Sequence, residues 1–117
     1  MNPIDYLESK KVSVREEGHY TLVNQSGLRM NLNVAIDKNN EVTKISMAHF
    51  GNQQDDPMRD PEIIFTCKDE VITYISMQND FMDFFTQDQV EIKDYMENTW
   101  VPNLIDAEYL IASKKKD

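Results

Sequence analysis

Hydrophobic and polar residues alternate most strictly between Leu28 and Ile36. Leu28, Met30, Leu32, Val34 and Ile36 are separated by Arg29, Asn31, Asn33 and Ala35. A period of two predicts a strand with one buried face and one wet face. Tyr20, Thr21, Leu22 and Val23 predict a shorter strand before it, closed by Asn24-Gln25-Ser26-Gly27. Lys38-Asn39-Asn40-Glu41 is a turn, because asparagine tolerates positive φ better than most residues. The return strand puts Ile45, Met47 and His49 on one face and Lys44, Ser46, Ala48 and Phe50 on the other. Glu62–Lys68 and Val71–Gln78 add two strands rich in β-branched and aromatic residues, joined by Asp69-Glu70. Both faces of that last pair are partly apolar, which calls for a cover on the second face.

At the two ends of the chain the period becomes three and four. Asn2 as cap and Pro3 at the first helical position open a helix with Ile4, Tyr6 and Leu7 on one stripe. It is expected to stop near Lys10-Lys11, where basic side chains suit the helix dipole. Near the other end, Thr86 or Asp88 caps a helix bearing Val90, Ile92, Tyr95, Met96, Trp100, Leu104 and Ile105, and this helix is the expected cover. Pro102 removes a backbone donor, so a break is expected between Trp100 and Asn103. Helix then continues from Leu104 to Ala112, and Lys114-Lys115-Lys116 is a solvated tail. Phe81, Met82, Phe84 and Phe85 are expected to close over the core. The fold expected is one α+β domain over residues 1–117. It has a mostly antiparallel sheet of about five strands in 19–78, a short N-terminal helix in 1–11, and a C-terminal helical region in 86–112 packed on one face.

A chain of 117 residues supports a single hydrophobic core. With 28% charged and 40% hydrophobic residues it has an ordinary globular composition. No apolar run approaches the roughly 18 residues of a membrane span. Met-Asn-Pro-Ile-Asp-Tyr lacks the basic and apolar regions of a signal peptide, so a cytoplasmic protein is expected. The single Cys67 fits a reducing compartment, and its apolar surroundings predict a buried structural thiol.

Charge changes the picture through its distribution. The net charge is −9, yet residues 1–44 balance six acids with six bases. Residues 45–112 carry fourteen acids against Arg59, Lys68 and Lys93, a net of −11. Such a surface repels phosphates and favours basic partners, so direct nucleic-acid binding is not expected.

The densest chemistry lies from His49 to Phe65, expected as the end of one strand, a polar loop and the start of the next. Asp55, Asp56, Asp60, Glu62 and His49 suggest oxygen-rich metal ligation, but their spacing matches no EF-hand, zinc or metal-nuclease pattern. Glu91-Ile92-Lys93 resembles half of a nuclease signature, on a helix where such neighbours point apart. No Gly-x-Ser-x-Gly or phosphate-cradling glycine loop occurs. Arg59, flanked by Asp56 and Asp60, predicts a local ion pair that fixes the loop. His49 alternates with Met47 and Ile45, as a half-buried strand residue does.

The run from Ala48 to Phe65, with Met58-Arg59-Asp60-Pro61-Glu62 at its centre, resembles a small domain family of uncharacterised activity. That family is carried by plasmids, conjugative elements and phages of gut bacteria. Asn98-Thr99-Trp100-Val101-Pro102-Asn103 is similar to the family's second landmark, and the resemblance spans roughly residues 30–112. The whole chain also looks like the short acidic anti-CRISPR proteins of Gram-positive mobile elements that block type II-A effector nucleases. This resemblance implies an inhibitor without enzymatic activity or cofactor, which binds the nuclease and competes with guide RNA or DNA. The contact residues then expected are Asp55, Asp56, Arg59, Asp60 and Glu62 in the loop, with Asp88, Glu91, Asp94 and Glu97 on the helix. A metal-dependent enzyme acting on nucleic acid, or an accessory domain of a conjugative element, are the alternatives.

Overall fold

The computed structural model describes residues 1–53, 56–110 and 113–114, with the side chains of all of these except 50–53 and 56–58. The first helix, Pro3–Ser9 (α1), starts as the sequence predicts. Asn2 Oδ1 accepts the Asp5 amide at 2.9 Å, Pro3 opens the first turn, and Lys10 is the C-cap. Tyr6 and Leu7 point into the core.

Seven strands follow among the described residues: Gly18–Val23 (β1), Arg29–Asp37 (β2), Val42–Gln53 (β3), Asp56–Lys68 (β4), Val71–Asn79 (β5), Phe84–Thr86 (β6) and Ser113–Lys114 (β7). They form one antiparallel sheet in the order β6-β5-β4-β3-β2-β1-β7. The fold is α+β as expected, with more strands than the five predicted. The added strands, β6 and β7, have three and two residues, too few for a period of two to register. Lys114 is therefore paired with Tyr20 at the sheet edge and is not part of a frayed tail.

A second correction concerns the stretch from His49 to Phe65. It is mostly strand: β3 runs on to Gln53 and β4 begins at Asp56, with Gly51 opposite Met58 and Asn52 opposite Pro57. Arg59, Asp60 and Pro61 thus lie inside a strand. The register shifts between Ala48 and Phe50. Such a bulge is where a strand accommodates a residue without an amide donor, here Pro61. Backbone pairing holds this hairpin, and backbone pairing leaves no apolar signature.

Other local expectations stand. Asp69 and Glu70 join β4 to β5 as a two-residue turn, both at positive φ (51° and 66°), the conformation that matches strand twist. Met30, Leu32, Val34, Ile45 and Met47 are buried on one face, while Leu28, outside β2, is exposed.

Beyond the sheet come Gln89–Tyr95 (α2), a π-turn at Met96–Trp100 and Val101–Asp106 (α3). The expected break at Pro102 is instead a change of hydrogen-bond register. Val101 N–H donates to Met96 O, five residues back, and torsions stay in the right-handed helical region. The widened turn places Pro102 in the first turn of α3, where its missing donor costs nothing. Ile92, Met96, Trp100, Val101 and Leu104 are buried, whereas Val90 and Ile105 fall off the stripe and face solvent. α3 ends at Asp106, short of Ala112, and the chain then crosses to β1, where Leu110 N–H donates to Val23 O at 3.1 Å.

α1 and the C-terminal helices share one core with the same sheet face, lined by Tyr20, Leu22, Met30, Leu32, Ile45, Met47, Ile63, Phe65 and Tyr74. The expected cover on the second face is therefore absent among the described residues. Ile64 on that face lies between Ser46 and Ser76, with Asn33 one strand further on. These cross-strand neighbours shield it, so it is half-buried without a helix above it. No helix among the described residues is long and apolar enough to cross a membrane.

Of the two expected caps, Asp88 is the one used. Its Oδ1 accepts the amides of Val90 and Glu91 at 2.9 and 3.1 Å. Asp88→Ala is expected to lower stability by about 1 kcal/mol, with Asp88→Asn close to wild type. Urea midpoints of the three proteins check this.

Candidate functional site

Arg59 in β4 meets Asp80, immediately past β5. Arg59 Nε donates to Asp80 Oδ2 at 2.9 Å and Nη2 donates to Oδ1 at 3.3 Å. The Arg59 amide also donates to Oδ2 at 2.8 Å, and the Asp80 amide donates back to Arg59 O at 2.8 Å. Gln78 Nε2 adds a bond to Asp80 Oδ1 at 3.1 Å. Hydrogen bonds from Arg59 hold the Asp80 carboxyl below the usual carboxylate range, and the same pairing pushes Arg59 up. The ion pair predicted for Arg59 thus exists with a different partner. Neighbours in a strand point to opposite faces, so Asp60 cannot share the fork; it accepts from Asn79 Nδ2 at 2.9 Å instead. Glu62 comes within 3.9 Å of Arg59 Nη1, a marginal contact.

The clamp fixes where the chain leaves β5, and the turn that follows forms one wall of a cleft. This cleft, about 330 Å³, lies between the middle of β4, the end of β5 and the helix α2. Pro61, Met77, Phe84 and Tyr95 give it apolar walls, Met82 a lip, Asn79 and Thr99 polar edges, and Glu91 and Asp94 a carboxylate rim. Asp60 stands close by: burial chiefly, and the Asp60 charge secondarily, push the Tyr95 hydroxyl up. Among the described residues no Lys, Arg or His lines the cleft.

The aromatic cluster beside it does not cover the core as expected. Phe81 is 44% exposed, Met82 75% and Phe85 57%; Phe84 alone of the four packs against the core. β6 is so short that alternation turns Phe84 in and Phe85 out, while Phe81 and Met82 sit on the preceding turn. Val90, at 79% exposure, lines a neighbouring groove on α2 with Lys93 and Asp94.

The predicted contact residues are thereby divided. Glu91 and Asp94 meet at the cleft, with Asp60 near it. Asp88 caps α2, and Arg59 is committed to Asp80. Glu62 lies on the open sheet face, paired in register with Ala48 and Gln78. Glu97 lines an adjoining groove with Val90, Lys93, Asn98 and the shared Asp94. Asp55 lies outside the described residues, as does the side chain of Asp56. Asp80, Met77, Met82 and Tyr95 were not singled out as site residues by the sequence; the exposed pair Phe81-Met82 was the one signal available.

His49 belongs to the core face. Its ring meets Trp100 edge-on at 5.5 Å and Tyr109 at 5.7 Å, and Nε2 pairs with Tyr109 Oη at 2.6 Å. In the Nδ1–H tautomer of neutral His49 the tyrosine hydroxyl donates and Nε2 accepts; in the other tautomer Nε2 donates. The Tyr109 carbonyl accepts from Lys10 Nζ at 2.5 Å, and burial with the neighbouring Tyr109 pushes the Tyr6 hydroxyl up to about 12. Among the described residues no three His, Cys, Asp or Glu side chains converge as a metal site would require. The Cys67 thiol is half-buried and pushed up by that burial.

Burial lowers the His49 pKa below its ordinary 6.5, with the Asp60 charge opposing. The unfolded chain therefore binds this proton more readily, and stability is lost as pH falls through about 6.5 toward the folded value. Urea midpoints at about pH 7.5 and about pH 5.5 are expected to differ in wild type and to converge in His49→Gln, which keeps an acceptor for Tyr109 without the titration.

A family model described as a domain of unknown function, DUF6908, matches residues 5–112. The chain belongs to this family. The DUF6908 match takes in most of α1, the sheet from β1 to β6, the C-terminal helices and Tyr109, so the clamp, the cleft and the His49 cluster all fall within it. No curated protein and no solved structure matches the chain.

Proposed function

We propose that this DUF6908 protein is a non-catalytic inhibitor that binds a basic, nucleic-acid-handling enzyme through its acidic side. The resemblance to anti-CRISPR proteins makes a type II-A CRISPR effector nuclease the target, met in the cytoplasm. The observation that carries this reading is the cleft edge of α2. Glu91 and Asp94 edge an apolar-walled opening, with Asp60 near Tyr95; no basic side chain lines it among the described residues, and Arg59 is held by Asp80. Carboxylates at an accessible edge attract cationic surfaces and speed encounter. RNA-guided nucleases hold guide and target in positively charged channels, a surface of the complementary sign. No step of this inhibition uses a cofactor or a metal.

Binding of the purified protein to guide-free and guide-loaded nuclease, across a salt series, tests the proposal. Tight binding to the guide-free form, weakening steeply between low and physiological salt, is expected because exposed charges are screened over about 8 Å at 0.15 M. Indifference to both forms, at low salt as well, sinks it.

A further inference from the structure

On the binding role proposed above, we infer that the cleft between β4, β5 and α2 takes one large apolar side chain of a basic peptide segment, with Lys or Arg on either side of that anchor. The volume, about 330 Å³, is at the small end of the roughly 300–1,000 Å³ typical of ligand pockets, which suits a single side chain. Its walls are apolar, and Met82 at the lip is an unbranched, adaptable thioether that can close on different anchors. The rim carboxylates are already positioned. Glu91 Oε2 accepts from Thr86 Oγ1 at 3.2 Å, and Asp94 Oδ1 accepts from Asn98 Nδ2 at 2.8 Å.

Charge complementarity selects the occupant. A purely apolar ligand would strip water from Glu91 and Asp94 without replacing it. A purely cationic one would leave the apolar walls wet, and a phosphate-bearing one would be repelled. An apolar residue between two cations satisfies both parts of the cleft. The occupant is a peptide and not a small amine because the exposed apolar edge extends past the cleft. Phe81, 44% exposed, adjoins the lining residue Met82 on the same turn, giving an extended segment further surface to cover.

Dye-labelled pentapeptides and fluorescence anisotropy at about 0.15 M salt test this. The probes are Lys-Arg-Trp-Lys-Arg, the same peptide with Ala for Trp, and Glu-Asp-Trp-Asp-Glu. The tryptophan peptide with basic flanks is expected to bind at least about tenfold tighter than its alanine counterpart. The acidic peptide is expected not to bind. Thr99→Trp, which fills the cleft from an exposed position, should bring the tryptophan peptide down to the alanine level. Met82→Ser, which removes the lip without touching the core, should do the same, and it carries the test alone if Thr99→Trp does not fold. Equal affinity of the two basic peptides overturns the inference and leaves the acidic-surface proposal standing. Peptide discrimination retained by a protein indifferent to the nuclease overturns the nuclease as target and leaves the cleft assignment standing.

Discussion

Trp100→Ala is expected to lower the free energy of unfolding by about 3–5 kcal/mol, a large share of the roughly 5–15 kcal/mol that holds a domain together. Trp100 is 3% exposed, and its ring stands edge-on to His49 beneath the π-turn. Truncation leaves a cavity where the C-terminal helices meet β3 and opens the pocket that keeps His49 neutral. The pH dependence assigned to His49 should therefore shrink in the same variant. Trp100→Phe separates packing from polarity. The buried Nε1 has no hydrogen-bond partner among the described residues, so replacing indole by phenyl removes an unpaired donor whose burial costs about 1–3 kcal/mol. That gain offsets part of the lost contact, and Trp100→Phe should be much milder than Trp100→Ala. Urea unfolding at one pH gives both values; equal losses would show that filling the cavity is not what matters.

The second large effect concerns binding. Reversing Glu91 and Asp94 to lysine is expected to weaken association with the basic target about a hundredfold or more, since like charges brought together cost several kcal/mol. The salt dependence should flatten as well. Both residues are exposed on α2, so the fold is expected to survive. Glu8→Lys with Glu16→Lys provides the control, because it changes net charge equally at exposed positions that do not line the cleft. A similar loss in the control would mean that overall charge, and not the cleft edge, drives association. Surface plasmon resonance against guide-free nuclease at two salt concentrations distinguishes these outcomes.

What the sequence reveals here is what is encoded locally. The alternation through β2, the Asn2-Pro3 helix start, the Asp69-Glu70 turn and the Asp88 cap each depend on residues within a few positions of one another. What it hides depends on pairing across strands. The hairpin of β3 and β4 is held by backbone bonds that polar residues make as well as apolar ones. Arg59 finds Asp80 only because β4 and β5 lie side by side. Ile64 suggests a covering helix until its neighbours Ser46 and Ser76 are known to shield it. The site was half legible for the same reason: helical spacing brought Glu91 and Asp94 together, but the walls from Pro61, Met77 and Tyr95 come from three elements.

The path of the C-terminal segment has a consequence for how the protein is made. Among themselves β1 to β6 pair only with neighbours in sequence, so each hairpin can close as it emerges from the ribosome. Their apolar side must then wait for α2, the π-turn and α3, and for β7 to reach the far edge at β1. Until those last residues are translated, the nascent chain carries an uncovered oily surface and a bare strand edge, the two features that recruit chaperones and drive aggregation. Ribosomes that stall before residue 89, or proteases that trim back to β6, would leave a sticky sheet in place of a shortened domain.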